Sequence, residues 1–476
     1  MTSNASTDKT ENEQRFITEL QAVLGADQLL LQSQISEKYL QDWSGEKGFQ
    51  PLAVIRPRST EEVSKALALC HQYKYPVVPQ GGMTGLAGGA NAIANSIVLS
   101  LERMSGITEI DAGSATMTAW SGTPLQVMQE AAEQAGFIFA LDLGARGSCQ
   151  IGGNLSTNAG GNRVIRYGMA RDVVLGLEVV QADGTVLSMM NKMAKNNAAF
   201  DLKHLFIGSE GTLGIITQVV VKLHPKVTGA NTALVALDSF DSVIKLLRYS
   251  QQALSGLVSA FEVMWHDYYQ SATTVGGIRA PIAGEHPLYV LIDMQSASPE
   301  QDRERFEAVL EHALENGWLT DAVIAQSHAD AESFWLLRDS VAELLQSFSP
   351  TINFDISFPI SRIGEAVERL NAVLDTDHPG IKSMFFGHVG DGNIHVVVGP
   401  LPEDDGKTEY AIEKAFYDIT AEFSGSVSAE HGIGLHKKPW LHYSRTPAEL
   451  ALMRTLKQAL DPKNILNPGK VFDLTN

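Results

Sequence analysis

The chain has 476 residues, enough for two or three domains with separate cores, and its 44% hydrophobic and 19% charged content is that of a globular protein in water. Its 36 basic and 55 acidic residues leave a formal charge of −19 at pH 7, which excludes nucleic acid and anionic lipid as main partners, because a polyanion needs a basic footprint. Two cysteines, Cys70 and Cys149, exclude a disulfide framework or a cysteine-only metal site and point to a reducing compartment. In chain order, residues 1–12 are polar and expected to be disordered, with neither the apolar core of a secretory signal nor the arginines of a transit peptide. Residues 13–23 carry helical spacing. Residues 53–57 read as a strand, Ser59-Thr60-Glu61-Glu62 as the capped start of a helix that buries Cys70, and residues 75–78 as a second strand.

That strand runs into Pro79-Gln80-Gly81-Gly82-Met83-Thr84-Gly85-Leu86-Ala87-Gly88-Gly89, with another strand expected at 96–101. Five glycines let successive N–H groups turn into one concavity, an anion cradle, although a glycine-rich hairpin turn is the plainer alternative. No Gly-Lys-Ser/Thr closes the segment and no Gly-x-Gly-x-x-Gly opens a helix, which excludes Walker and dinucleotide-binding loops. Short strands at 107–111, 116–121 and 173–182 and a helix at 124–135 make an α+β lobe. Within it, Gly147 to Gly161 is a second small-residue stretch that admits close backbone approach, and Ile207-Gly208-Ser209-Glu210-Gly211-Thr212-Leu213-Gly214-Ile215-Ile216 a third. Three such clusters suggest a large, flat, phosphorylated ligand; the alternative is three unrelated tight turns.

These three segments resemble the flavin lobe of the vanillyl-alcohol-oxidase-like FAD enzymes, and within them the D-lactate, D-2-hydroxyglutarate and glycolate dehydrogenase branch, from about residue 50 to the C-terminus. The resemblance implies a PCMH-type FAD-binding domain (13–225), an α/β cap on an antiparallel sheet (226–425) and a C-terminal helical segment returning to the FAD domain (426–476). It implies FAD contacts from Pro79, Gly81, Gly82, Met83, Thr84, Gly85 and Leu86, and from Asp142, Gly144, Ser148, Gly152, Gly153, Asn154, Thr157, Asn158 and Gly160. Gly214, Ile215 and Asn467 complete that set. Some relatives attach flavin through a histidine in the first loop; there is none here, so FAD is expected to be noncovalent.

In the cap, Gly387-His388-Val389-Gly390-Asp391-Gly392-Asn393-Ile394-His395 reads as two strands joined by a turn at 390–393. With Val389 paired to Ile394, His388 faces His395 across the ladder, either to share a metal ion or to pack as a hydrogen-bonded pair. Glu430-His431 in a glycine-flanked turn offers a third ligand. The resemblance implies that His388, His395 and Glu430 bind a divalent metal, zinc in most members, and that His431 is the base. The chemistry agrees: oxidising a 2-hydroxy acid removes a hydroxyl proton as hydride leaves the α-carbon, and a two-His-one-carboxylate site keeps positions open for substrate oxygens. Arg338 reads as helical beside Phe334 and Trp335; spacing alone suggests a surface ion pair with Glu332 or Asp339, whereas the resemblance makes it the carboxylate-binding arginine.

Ala342, Asn353 and Val397 stand where hydroxyglutarate-specific relatives carry a hydroxyl, a lysine and an amide. That favours a smaller or more apolar D-2-hydroxy acid, such as D-lactate, with Asn353 in the substrate-binding set. The expectation is an FAD-dependent D-2-hydroxy-acid dehydrogenase passing electrons to an electron-transfer flavoprotein or a quinone, with an O2-using oxidase or a non-catalytic flavin subunit as alternatives. No apolar run approaches the ~18 residues of a membrane span. The expected location is cytoplasmic, with attachment to the inner membrane surface and a homodimer left open.

Overall fold

The computed structural model describes residues 2–404 and 406–474. The first helix, Thr2–Leu24, continues the expected 13–23 helix back through the segment read as disordered. Once the turns holding Phe16 and Leu20 are packed, adding further turns needs little of its own.

The first lobe holds two sheets. In one, Ala53–Ile55 and Val77–Gln80 flank Ile97–Ser100 and both run parallel to it, with Leu29–Leu31 antiparallel at the edge. Parallel neighbours cannot be joined by a hairpin, so the glycine segment after Gln80 is a crossover on the surface of the lobe. The other sheet is antiparallel, in the order Ile107–Asp111, Thr116–Trp120, Ile215–Lys222, Val174–Val180, Val186–Met189. The second small-residue stretch contains a short helix, Ile151–Ser156.

The second lobe is built on a seven-stranded antiparallel sheet that starts at Gly229–Leu237 and ends at Asn393–Gly399. Side chains alternate between two buried faces: Ala233, Val235 and Leu237 enter one core and Leu234 and Ala236 the other. Four long helices, Phe240–Ala253, Pro299–Glu315, Ile363–Asp377 and Lys407–Glu422, cover the first face. The opposite face carries His266–Thr274, His328–Asp339 and Val341–Phe348, and it presents the histidine hairpin.

The chain then returns to the first lobe. Leu466 bridges Val77 in parallel, and the Lys470 ammonium donates to the carbonyls of Gly88, Gly89 and Asn91. This tail braces the glycine crossover from behind.

Candidate active site

The glycine crossover and the stretch around Gly152 form the two walls of a cleft of about 440 Å3. Their approach is too close for side chains: a Cβ on Gly82 would lie 2.0 Å from the Ser148 carbonyl oxygen, and one on Gly161, at φ +126°, 1.9 Å from that of Asp142. Pro79, Gly81 to Leu86, Gly144, Gly152, Gly153, Asn154, Thr157, Gly160, Gly214 and Ile215 all line this cleft.

Four expected residues do not line it. Asp142 turns to Arg146, 3.1 Å away, at the rim of a neighbouring cleft. Ser148 serves through the carbonyl that abuts Gly82. Asn158 accepts the N–H of Arg171, and Asn467 donates to the carbonyls of Gly89 and Glu210, so both amides brace backbone. Conversely, Asp42, Gln150 and Glu210 line the cleft unforeseen, and the first two each leave a buried oxygen without a partner. Orphaned buried acceptors are costly and mark a surface shaped for a polar ligand. Glu210 accepts the N–H groups of Ile433 and Gly434 at 2.7 and 2.8 Å, fixing the turn after His431 to the first lobe.

At one end of the cleft, the second lobe delivers a histidine cluster. The strands pair Phe386 with His395, and the turn begins at His388, whose carbonyl accepts the N–H groups of Asp391 and Asn393. The expected Val389–Ile394 pair therefore does not form. His388, two residues beyond Phe386, still brings its ring edge-on to His395 with centroids 5.3 Å apart. Donor atoms of His388, His395 and Glu430 lie within 4.8 Å of one another, and so do those of Asp355, His395 and His431. Glu430 and His431 themselves line the cleft.

Two buried carboxylates organise the cluster, and neither was expected in that role. Glu262 lies between His388 Nδ1, at 2.7 Å, and Arg338 Nε, at 2.8 Å. Burial would push its carboxyl up, but His388 and Arg338 hold it down at about 2. An ionised carboxylate only accepts, so His388 donates from Nδ1 to Glu262 and turns Nε2 toward Glu430, 3.8 Å away. Burial acts against a charge on His388, yet the Glu262 and Glu430 carboxylates raise it to about 9.

Asp355 is fully buried, and its Oδ2 accepts the N–H groups of Glu430 and His431, both at 2.9 Å, and the Lys437 ammonium at 3.3 Å. Burial would raise this carboxyl too, but His431, Lys437 and His395 keep it well below the usual carboxylate range. Its Oδ1 has no hydrogen-bond partner and lies 3.9 Å from His395 Nδ1. Burial lowers both His395 and His431, so each is neutral at pH 7. The signal for both carboxylates was a single acid inside a largely buried strand, Val258–Trp265 and Ile352–Ser357.

Arg338 is 6% exposed, and its principal partner is Glu262 rather than Glu332 or Asp339; Asp339 stands at 3.5 Å. Its guanidinium lies over Phe386, 5.2 Å from the ring centre, while Trp335 meets Arg163 instead. Asn353 pairs with Val397 across the strands and is exposed on the face that bears Asp355 and His395. Val397 is buried among apolar side chains.

Residues 51–189 match the family described as FAD binding domain, and residues 228–471 that described as FAD linked oxidases, C-terminal domain. The chain belongs to the FAD-linked oxidase family. This FAD-linked oxidase family member is 39% identical over 452 residues to D-2-hydroxyglutarate dehydrogenase, mitochondrial, of Arabidopsis thaliana, covering 94% of this chain and 80% of the relative. It is 38% identical to D-2-hydroxyglutarate dehydrogenase of Xanthomonas citri pv. viticola, over 96% of this chain and 97% of the relative. A putative D-lactate dehydrogenase of Schizosaccharomyces pombe is 36% identical, with 90% and 83% covered. Among solved structures, p-cresol methylhydroxylase with substrate bound superposes with a TM-score of 0.79 at 17% identity, covering 98% of both chains. Alkyldihydroxyacetonephosphate synthase superposes with 0.73 at 19%, covering 96% and 86%. These likenesses establish the PCMH-type fold. Among the described residues, no helix is long and apolar enough to cross a membrane.

Proposed function

We infer that this protein is an FAD-dependent dehydrogenase that oxidises a D-2-hydroxy acid to the 2-oxo acid. The observation that carries the reading is the meeting of His388, His395, Glu430 and His431 at the end of the cleft, with Arg338 tied to the same cluster through Glu262. The relatives' names as D-2-hydroxyglutarate dehydrogenases support the reaction class. The domain limits 13–225, 226–425 and 426–476 are part of this reading.

FAD, when bound in the cleft, supplies the hydride acceptor. No histidine lies in the glycine crossover, and Cys149 in the cleft wall is pushed up by burial and is a poor nucleophile; both support noncovalent binding. His388, His395 and Glu430 are a donor set suited to a divalent ion such as Zn2+, which when bound supplies a Lewis acid for the substrate's oxygens. The protein's own groups do the rest. Arg338 uses Nε for Glu262, which leaves the outer edge of its guanidinium for a carboxylate. His431 Nδ1 faces Asp355 Oδ2 at 3.7 Å, so Nε2 is the nitrogen free to accept the hydroxyl proton.

The second end of the substrate meets Ala342, Val397 and Asn353, which offer no cation; this supports a small or apolar side chain, as in D-lactate. An electron-transfer flavoprotein or a quinone is the proposed acceptor. Anaerobic flavin bleaching by a panel of D- and L-2-hydroxy acids, with and without a chelator, tests all of this. Rapid bleaching by one D-acid, abolished by the chelator, is expected; FAD-loaded, zinc-loaded protein that no acid bleaches would sink the reading.

A further inference from the structure

Glu262 is the lone charge in the strand Val258–Trp265 and is 1% exposed. A buried carboxylate is costly unless both oxygens are answered. Here they are answered by two different functional groups: Oε1 by His388 Nδ1 and Oε2 by Arg338 Nε. The partners come from separate parts of the lobe, His388 from the turn after Lys382–Gly387 and Arg338 from the helix His328–Asp339 laid across the same face. Glu262 is itself held rigidly, because Val263 and Met264 pair with Gly387 and Phe386 of the hairpin strand.

We propose that Glu262 is a positioning residue that sets the metal-site imidazole of His388 and the carboxylate-binding guanidinium of Arg338 in register with each other. The proposal rests on the dehydrogenase reading above. A 2-hydroxy acid carries its hydroxyl and carboxylate on adjacent carbons, so the distance between the two grips is set by covalent geometry and tolerates little slack. One carboxylate with one oxygen on each partner fixes that distance with no flexible intermediary. It also orients the two groups in complementary ways. His388 is turned with Nδ1 toward Glu262 and Nε2 toward Glu430, 3.8 Å away, while Arg338 spends Nε on Glu262 and keeps its Nη groups apart from it, Nη1 lying 3.5 Å from Asp339.

Glutamine at this position keeps the shape but has a single acceptor. Arg338 Nε–H can only donate, so the NH2 either faces it donor against donor or faces His388, whose ring must then carry its proton on Nε2, the nitrogen turned to the metal site.

The test uses full-length, FAD-loaded wild type, Glu262→Gln and Arg338→Met. Zn2+ affinity is measured by chelator competition without substrate, and KM for the hydroxy acid at saturating Zn2+; FAD content and thermal melting report folding. Glu262→Gln should retain FAD, bind Zn2+ at least about tenfold more weakly, and raise KM with a smaller change in kcat. Arg338→Met removes no proposed metal ligand, yet should weaken Zn2+ binding by about threefold or more, because Glu262 loses its second tether. Folded Glu262→Gln with Zn2+ affinity within about twofold of wild type overturns the proposal. If Glu262→Gln does not fold, unchanged Zn2+ affinity in Arg338→Met overturns it. Wild type that binds no Zn2+ overturns the underlying site reading, a result distinct from wild-type binding that survives in the variant.

Discussion

Replacing Asp355 by asparagine removes a charge from the most enclosed point of the cluster. In wild type one oxygen, Oδ2, accepts two backbone N–H groups, the Ser428 hydroxyl and the Lys437 ammonium. Asparagine keeps an acceptor there but turns the charge-assisted hydrogen bonds from the two N–H groups and the Ser428 hydroxyl into neutral ones, each weaker by about 1 kcal/mol, for a loss of about 3 kcal/mol. Lys437, itself buried, is left without its ion-pair partner, which puts the loss in the range of about 3–5 kcal/mol known for broken buried pairs. That corresponds to a fall of roughly 6–20 °C in the melting temperature of the second lobe. The amide NH2 would also take the place of Oδ1 opposite His395 Nδ1 and disturb that ring's tautomer. Differential scanning fluorimetry of the FAD-loaded protein and stopped-flow flavin reduction measure the two effects. The double variant D355N/K437M should recover part of the stability, since no stranded ammonium remains. A D355N protein that melts within about 1 °C of wild type and reduces its flavin at the wild-type rate would refute the reasoning.

Gly82→Ala should abolish FAD retention, because its Cβ would overlap the Ser148 carbonyl at 2.0 Å and force the two cleft walls apart; flavin absorbance after gel filtration checks it. His431→Ala should slow flavin reduction by about 10²–10⁴-fold while FAD and Zn2+ contents stay at wild-type levels, since the base is not among the proposed metal ligands. Native protein at pH 8 should resist alkylation at Cys70, whose thiol is pushed up to about 12 by burial; mass spectrometry showing rapid modification of folded protein would contradict the packing around it.

What the sequence determined by itself is the local chemistry. The glycine segments must have an unobstructed backbone wherever they fold, so composition pointed to small-residue walls for a ligand, and the family resemblance put Gly81 to Leu86 and residues from Gly152 to Gly160 in them. His388, His395, Glu430 and His431 sit in short motifs whose residue types already name a chemistry, and the structure brings them within reach of one another. The family resemblance likewise implied the antiparallel sheet on which the second lobe is built.

Only the tertiary structure decided the supports. Glu262 lies 126 residues from His388 and 76 from Arg338, and Asp355 lies 75 from Glu430, so no local pattern links them. The hairpin register depended on where the turn closed on the His388 carbonyl, and the fates of Asp142, Asn158 and Asn467 depended on which neighbours left an unpaired group for them. A side chain's intrinsic chemistry travels with its residue type, but a buried charge or amide takes its role from the partner that folding puts beside it, and that partner is chosen by packing across the whole chain.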